Sequence, residues 1–184
     1  MISESGPFLE PENSLNVLEF LRVAHEYCLF TEKAGEKNKT AIYDFFLKIG
    51  PLIYLKGKLL PDISPEYPET SERFVTEEEW QDIFNVFRAA FLTEDEYYQV
   101  NYEEFNEYEA VKASLSENFT DIYQDLKDFI LLYQKNSQAA RQNAVHDCQS
   151  LFKTRWGHKL LSNMRHIHFL QNKNLFQIDE NGLL

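Results

Sequence analysis

The sequence contains few of the residues that form turns, glycine and proline, and few cysteines that could cross-link the chain. Its 184 residues include only 6 Gly, 6 Pro and 2 Cys. So few turn-forming residues argue against the many short strands of sandwiches and barrels, and favour helices. The two cysteines, Cys28 and Cys148, stand alone without the spacing of a metal site or a disulfide framework. We therefore expect free, buried thiols and a reducing compartment.

The sequence also shows no long apolar run, no pattern of a secretory signal at its start and no excess of basic residues. No segment approaches the ~20 apolar residues of a membrane-spanning helix. The start of the chain has no basic region followed by an apolar stretch, so we expect a cytoplasmic protein with no membrane contact. The 18 basic residues are outnumbered by 30 acidic ones, a formal net charge of -12. Nucleic acid and anionic membranes are therefore disfavoured as partners.

The sequence does have ample material for a core. Hydrophobic residues make up 43% of the chain and aromatic residues 15%, which excludes a fully disordered protein. Helical periodicity predicts an all-α fold, a single-domain bundle of five to seven helices. We place this domain at residues 13–171, between a flexible lead-in over 1–12 and a tail over 172–184 whose order the sequence does not define.

Local signals place several helix ends. Thr40 is predicted to cap the second helix, and Thr76 with Glu79 forms a capping box. Pro51, after a glycine, predicts a kink or break in the second helix. Three prolines within residues 61–73 predict a long loop. Further on, Ser137 is a predicted cap.

Residues 94–109 combine seven acids with aromatic side chains and contain no Lys or Arg. Helical periodicity is poor there, and we predict a short helix followed by a loop. Acidic residues would steer a basic partner protein, and tyrosines would supply contact area. The predicted contact tyrosines are Tyr97, Tyr98, Tyr102 and Tyr108.

The clearest predicted helix follows, with an apolar stripe from Leu115 to Tyr133. Four acids on it recur at spacings of four, four and three and form a ridge: Glu117, Asp121, Asp125 and Asp128. The ridge lies mostly opposite the apolar stripe, which indicates a solvated face or a surface for a partner. The alternative is that these carboxylates hold Mg²⁺ in a hydrolase of a nucleotide or phosphate ester, as in the all-α nucleotide pyrophosphohydrolases. No other cofactor is predicted.

The chain has no acid between residues 149 and 178. A basic patch of four residues lies in this stretch: Lys153, Arg155, Lys159 and Arg165. Together with nearby aromatics it is compatible with a nucleic-acid accessory protein, since cations neutralise phosphates and aromatics stack on bases. We prefer two other interpretations, which are internal pairing of the patch with the acidic 94–109 segment and a surface whose charges are unevenly distributed.

Three strings carry a resemblance to a known family. The first runs from Pro51 to Pro61, the second reads Asp-Ile-Tyr-Gln-Asp-Leu-Lys-Asp-Phe over residues 121–129, and the third begins at Trp156-Gly157-His158. In this order they resemble domain-of-unknown-function family 5063, a family of bacterial helical proteins. The resemblance implies a compact helical domain in a bacterial cytoplasm. It carries over no catalytic residue, cofactor or partner.

No convergent catalytic set is visible in the sequence, whereas two segments of opposite charge are. The leading hypothesis is therefore a non-enzymatic protein-interaction or accessory module, with a protein as its partner and a homo-oligomer left open. The Mg²⁺-dependent hydrolase and the nucleic-acid accessory protein remain the alternatives.

Overall fold

The computed structural model describes residues 10–101 and 109–173 of the chain. Within them lie six α-helices and one two-stranded sheet, in a single, mostly α-helical domain. The elements are α1 (Leu15–Glu32), α2 (Lys39–Lys58), α3 (Glu77–Phe91), β1 (Glu96–Asn101), β2 (Glu109–Ser114), α4 (Leu115–Tyr133), α5 (Gln138–Leu151) and α6 (Gly157–Asn172). The predicted all-α bundle is confirmed, with the small sheet as an addition. Among the described residues, no helix is both long and apolar enough to cross a membrane.

Polar side chains start the helices where the sequence indicated, with one exception. Thr76 and Glu79 form the predicted capping box at the start of α3, and Ser137 accepts from the backbone N–H of Ala140 at the start of α5. The cap of α2 is Asn38, which accepts from the N–H of Ala41. The predicted cap Thr40 lies one residue inside the helix.

Helix α2 continues through Pro51, so the predicted break is absent. A proline inside a helix costs about 3 kcal/mol through its missing donor and its clash with the preceding turn. Tertiary packing compensates, because α2 lies against α6. The neighbouring Gly50 has so little space that an added Cβ would lie 2.9 Å from the sulfur of Met164.

Helix α4 occupies the centre of the bundle. It contacts α1, α3, α5 and α6, and 15 of its 19 residues are buried. Its Phe119 ring packs within 4.3 to 5.4 Å, centroid to centroid, of Phe46, Phe87 and Phe91. Such aromatic pairs add about 0.5–1.5 kcal/mol each beyond the burial of their area. Neighbouring elements cover most of α4, and Glu117 is its one exposed residue.

Helices α5 and α6 are joined by a π-helical turn, Phe152–Trp156. The turn is a local widening of a continuous helical path. Trp156 is fully buried, and its Nε1 donates to the Cys148 carbonyl over 3.2 Å. The ring lies against Gly57 of α2, where an added Cβ would lie 2.6 Å from it.

The segment predicted as a short helix and a loop is instead a β-hairpin in its described part. Strand β1 pairs antiparallel with β2, with Tyr97 opposite Ala113 and Gln99 opposite Val111. These four side chains face inward, whereas Tyr98 points outward with 73% of its surface exposed. The period of two was present in the sequence, but it spans only six residues in each strand, too few to stand out.

The two ends of the predicted domain lie only partly within the described residues. Residues 10–12 belong to the predicted lead-in, yet Glu12 is buried and its carbonyl accepts from the Tyr133 hydroxyl over 2.9 Å. Residues 1–9 and most of the predicted tail, 174–184, lie outside the described residues.

The long proline-containing loop is confirmed, and it is held by side chains of other elements. We call residues 60–75 the strap. Four side chains of α5 bind its backbone: Gln149 donates to the Leu60 carbonyl, His146 contacts the Ile63 carbonyl, Asn143 donates to the Tyr67 carbonyl, and Gln142 accepts from the Glu66 N–H. The strap therefore lies along α5 without forming a helix or strand of its own beyond one 3₁₀ turn, Pro68–Thr70.

Candidate functional site: a carboxylate network and the cavity beside it

Three of the four acids in the predicted ridge are buried. Asp121, Asp125 and Asp128 expose 7%, 1% and 4% of their surface, so the predicted solvated face is wrong for them. The physical reason is that groups of α3, the strap, the π-helical turn and α6 cover the face opposite the apolar stripe. Only Glu117, in the first turn of α4, is exposed.

Asp121 is bound by donors from three elements. Its Oδ1 accepts from Trp80 Nε1 of α3 over 3.0 Å and pairs with Arg155 Nη2 over 3.1 Å. Its Oδ2 accepts from the Lys159 ammonium of α6. These contacts fix α4 to α3 and to the helical path that leads into α6.

Asp128 holds the C-terminal end of the strap. Its Oδ1 accepts from two consecutive backbone N–H groups, those of Phe74 at 2.7 Å and Val75 at 2.9 Å. Its Oδ2 accepts from Arg73 Nη1 over 3.0 Å. Hydrogen bonds to a charged group contribute about 1.5–3 kcal/mol each, so Asp128 is a main anchor of this segment.

Asp125 lies between the other two and is only half satisfied. Its Oδ1 accepts from Arg73 Nη1 and Arg155 Nη1, each over 3.2 Å. Its Oδ2 is buried and has no hydrogen-bond partner among the described residues. Burial raises the pKa of Asp125, while the charges of Arg155 and Arg73 act in the opposite direction.

A cavity of about 300 Å³ lies beside Asp125, between α4, α5 and the strap. Eleven described residues line it, and four of them are acids: Glu72, Asp125, Asp128 and Asp147. Arg73 is the one base in this lining, and Phe129, Leu132, Ala144 and Leu151 form apolar walls. Arg73 is half exposed and bonded to Asp125, so it lies on the solvent side of that carboxylate.

Comparison with known proteins agrees with this fold. Residues 11–173 match the family model described as Domain of unknown function (DUF5063). The chain belongs to this family. A crystal structure of protein BF1032 from Bacteroides fragilis is 33% identical, with a TM-score of 0.78, over 88% of this chain and 96% of that one. No curated protein matches the chain.

In this DUF5063 chain, the predicted acidic ridge and the predicted basic patch are each other's partners. Arg155 and Lys159 pair with Asp121 and Asp125 rather than with the acidic 94–109 segment or a nucleic acid. Three carboxylates, from Asp121, Asp125 and Asp128, meet three cations, from Arg73, Arg155 and Lys159. Sequence reasoning missed Arg73, which stands alone in the loop, and no periodicity marks it.

The other two basic residues remain at the surface. Lys153 is exposed and donates to Gln149 over 3.2 Å. Arg165 is exposed and lines a second cavity, about 220 Å³, with Tyr98 and His166. The basic patch is therefore divided between the interior network and two separated surface positions.

The predicted contact tyrosines separate in the same way. Tyr97 is buried, and its hydroxyl lies 2.9 to 3.1 Å from Ser162, Asn163 and Asn118. It is therefore unavailable to a partner, whereas Tyr98 is available. Tyr102 and Tyr108 lie outside the described residues.

The ridge carboxylates of the predicted Mg²⁺ alternative are occupied by protein donors in this arrangement. Apart from Asp125 Oδ2, every carboxylate oxygen of Asp121, Asp125 and Asp128 accepts from an Arg, Lys, Trp or backbone donor. Within residues 10–101 and 109–173, no group of three His, Cys, Asp or Glu side chains has the geometry to hold a metal ion. The ridge carboxylates instead balance the cations packed against them.

Both cysteines are buried and unpaired, as predicted. Cys148 lines the cavity, where burial raises the pKa of its thiol and Asp125 adds to the effect. A thiol whose pKa is raised holds little nucleophilic thiolate at neutral pH. Cys148 therefore contributes a wall to the cavity and no nucleophile.

Proposed function

We propose that this protein is a non-enzymatic binding module whose binding element is the cavity between α4, α5 and the strap. The cavity carries the proposal, because it is preformed and combines apolar walls with a few polar groups. That composition is typical of binding sites. Its volume, about 300 Å³, suits a small molecule or one side chain of a partner protein.

The lining supports binding rather than catalysis. Among its eleven described residues are no His and no Lys, Cys148 is a buried thiol, and Asp147, the acid one helical turn before Ser150, already accepts from the Ser71 hydroxyl. A nucleophile without an adjacent base is weak. Asp125 is paired with Arg73 and Arg155, which suits a fixed binding charge. The two unpaired thiols further support a reducing, cytoplasmic location for the module.

A blocking variant tests the proposal. Ser150 is exposed at the cavity on α5, so Ser150→Trp obstructs the opening without entering the core. Gln138→Trp, exposed on the same helix and outside the cavity lining, is the matched control. A fragment library is screened by thermal shift against the three proteins. We expect compounds that stabilise the native chain and Gln138→Trp but fail on Ser150→Trp; compounds that act equally on all three would overturn the proposal.

A further inference from the structure

We infer that the cavity takes a primary ammonium group on an apolar stem, with Asp125 Oδ2 as the oxygen that receives it. The inference rests on the proposed function and names the ligand class of the same site. Ammonium groups of this kind occur on lysine side chains of proteins and on free alkylamines.

The unpartnered oxygen is the first support. Asp125 Oδ2 is buried and accepts from no donor among the described residues, although Oδ1 of the same carboxylate accepts from two arginines. A buried carboxylate oxygen without a donor is costly, and such groups in native proteins nearly always have a partner. The cavity beside Asp125 is the space from which a donor can arrive.

The charge of the lining is the second support. Four acids and one arginine line the cavity, and Arg73 is already shared between Asp125 and Asp128. From outside the lining Arg155 pairs with Asp125 and Lys135 with Glu72, so the four acids face three cations and keep one negative charge in excess. A concave site lined mainly by one sign of charge concentrates ligands of the opposite sign. The site therefore selects a cation over a neutral or anionic ligand of the same shape.

The arrangement of acceptors selects ammonium over guanidinium. A guanidinium binds best to two parallel acceptors, which two of its nitrogens contact at once. Only one oxygen of Asp125 is vacant, which suits a compact ammonium that arrives end-on. The walls from Phe129, Leu132 and Leu151 can cover a methylene stem, as apolar surfaces do for lysine.

Arg73 sets the affinity, because it covers the carboxylate that the ligand needs. Its side chain is 49% exposed, so it can swing outward when a ligand enters. Removing the guanidinium leaves Asp125 with one cation fewer and opens the path to Oδ2. The inference therefore requires opposite effects from changing the acid and from changing the arginine.

The experiment measures binding of hexylamine, hexanol and hexanoate to the native chain by calorimetry at neutral pH. Of the three probes, we expect only hexylamine to bind the native chain. It should bind Asp125→Asn at least tenfold more weakly and Arg73→Met several-fold more tightly than the native chain. Asp82→Asn, an exposed carboxylate on α3, is the control and should bind as the native chain does. Because Arg73 is half exposed, Arg73→Met keeps the test open should Asp125→Asn fail to fold.

The outcomes separate the inference from the proposed function. Hexanol or hexanoate binding that Ser150→Trp abolishes would overturn the ammonium inference and leave the binding module standing. Weaker hexylamine binding by Arg73→Met would also overturn it. Failure of every probe and every library compound would remove both. Nα-acetyl-lysine N-methylamide distinguishes the two sources of the ammonium group. Binding tighter than that of hexylamine supports a lysine of a partner protein, and weaker binding supports a free alkylamine.

Discussion

Replacement of Asp128 by Ala should destabilise the protein far more than replacement of any exposed acid on the same helix. The variant leaves the backbone N–H groups of Phe74 and Val75 without their acceptor and deprives Arg73 of one partner. Two hydrogen bonds to a charge contribute about 1.5–3 kcal/mol each. Arg73 is half exposed, so its ion pair adds less than about 1 kcal/mol.

These contributions are not additive, and we expect a total loss of about 3–5 kcal/mol, as for breaking a buried pair. With a urea m-value of about 2–3 kcal/mol/M, the unfolding midpoint should fall by about 1–2.5 M. Asp128→Asn keeps a carbonyl oxygen for both backbone donors and should lose only about 1 kcal/mol. Glu117→Ala, at the exposed acid of α4, should change stability by less than about 0.5 kcal/mol.

Hydrogen exchange gives the local readout. In Asp128→Ala the Phe74 and Val75 amides should exchange faster by a larger factor than amides within α4, because the strap loosens before the bundle opens. If Asp128→Asn were as damaging as Asp128→Ala, the acceptor role would be refuted. A midpoint for Asp128→Ala close to that of Glu117→Ala would refute the burial reasoning as a whole.

Three further predictions concern other parts of the chain. Gly57→Ala should lower the free energy of unfolding in urea by about 1–3 kcal/mol, because the new Cβ would lie 2.6 Å from the Trp156 ring. Gly35→Ala is the control and should be neutral or slightly stabilising, because the nearest atom to its new Cβ lies 3.7 Å away. Leu92 has φ 51° and a mostly exposed side chain, so Leu92→Gly should raise the thermal midpoint by relieving about 1 kcal/mol of strain. Burial lowers the pKa of His166 below its ordinary value of 6.5, so just below that pH the unfolded chain binds more protons than the folded chain. The free energy of unfolding should therefore rise with pH there, by at most about 1.4 kcal/mol per pH unit. His166→Gln should flatten this slope when unfolding is measured from pH 5 to 7.

The helices were predictable because their signals are local. The capping box at Thr76 and the stripe from Leu115 to Tyr133 depend on residues three or four apart, and both were confirmed. The hairpin was missed because its alternation spans only six residues in each strand. The break predicted at Pro51 is absent for a related reason, since packing between α2 and α6 outweighs the local tendency of proline to end a helix.

The candidate site was only partly predictable. Periodicity showed which face of α4 is apolar, but it could not show that the opposite face is covered too. The usable signal was charge complementarity, since an acid ridge and an acid-free basic stretch in one chain are candidates for internal pairing. Arg73 and the cavity depend on how the strap crosses two helices, and no spacing along the chain encodes that path.

The way the strap is held has a consequence for sequence variation. Gln142, Asn143, His146 and Gln149 of α5 and Asp128 of α4 all contact its peptide groups. Among its side chains, Thr70 is bound by Asn143 and Arg73 by Asp128. Helical residues thus specify the route of the loop mainly through its backbone. Relatives should therefore tolerate exchanges at constant length elsewhere in the strap, while losing its course when the helical amides and Asp128 are replaced. A binding surface built this way can change its ligand by altering the strap alone, with the bundle beneath unchanged.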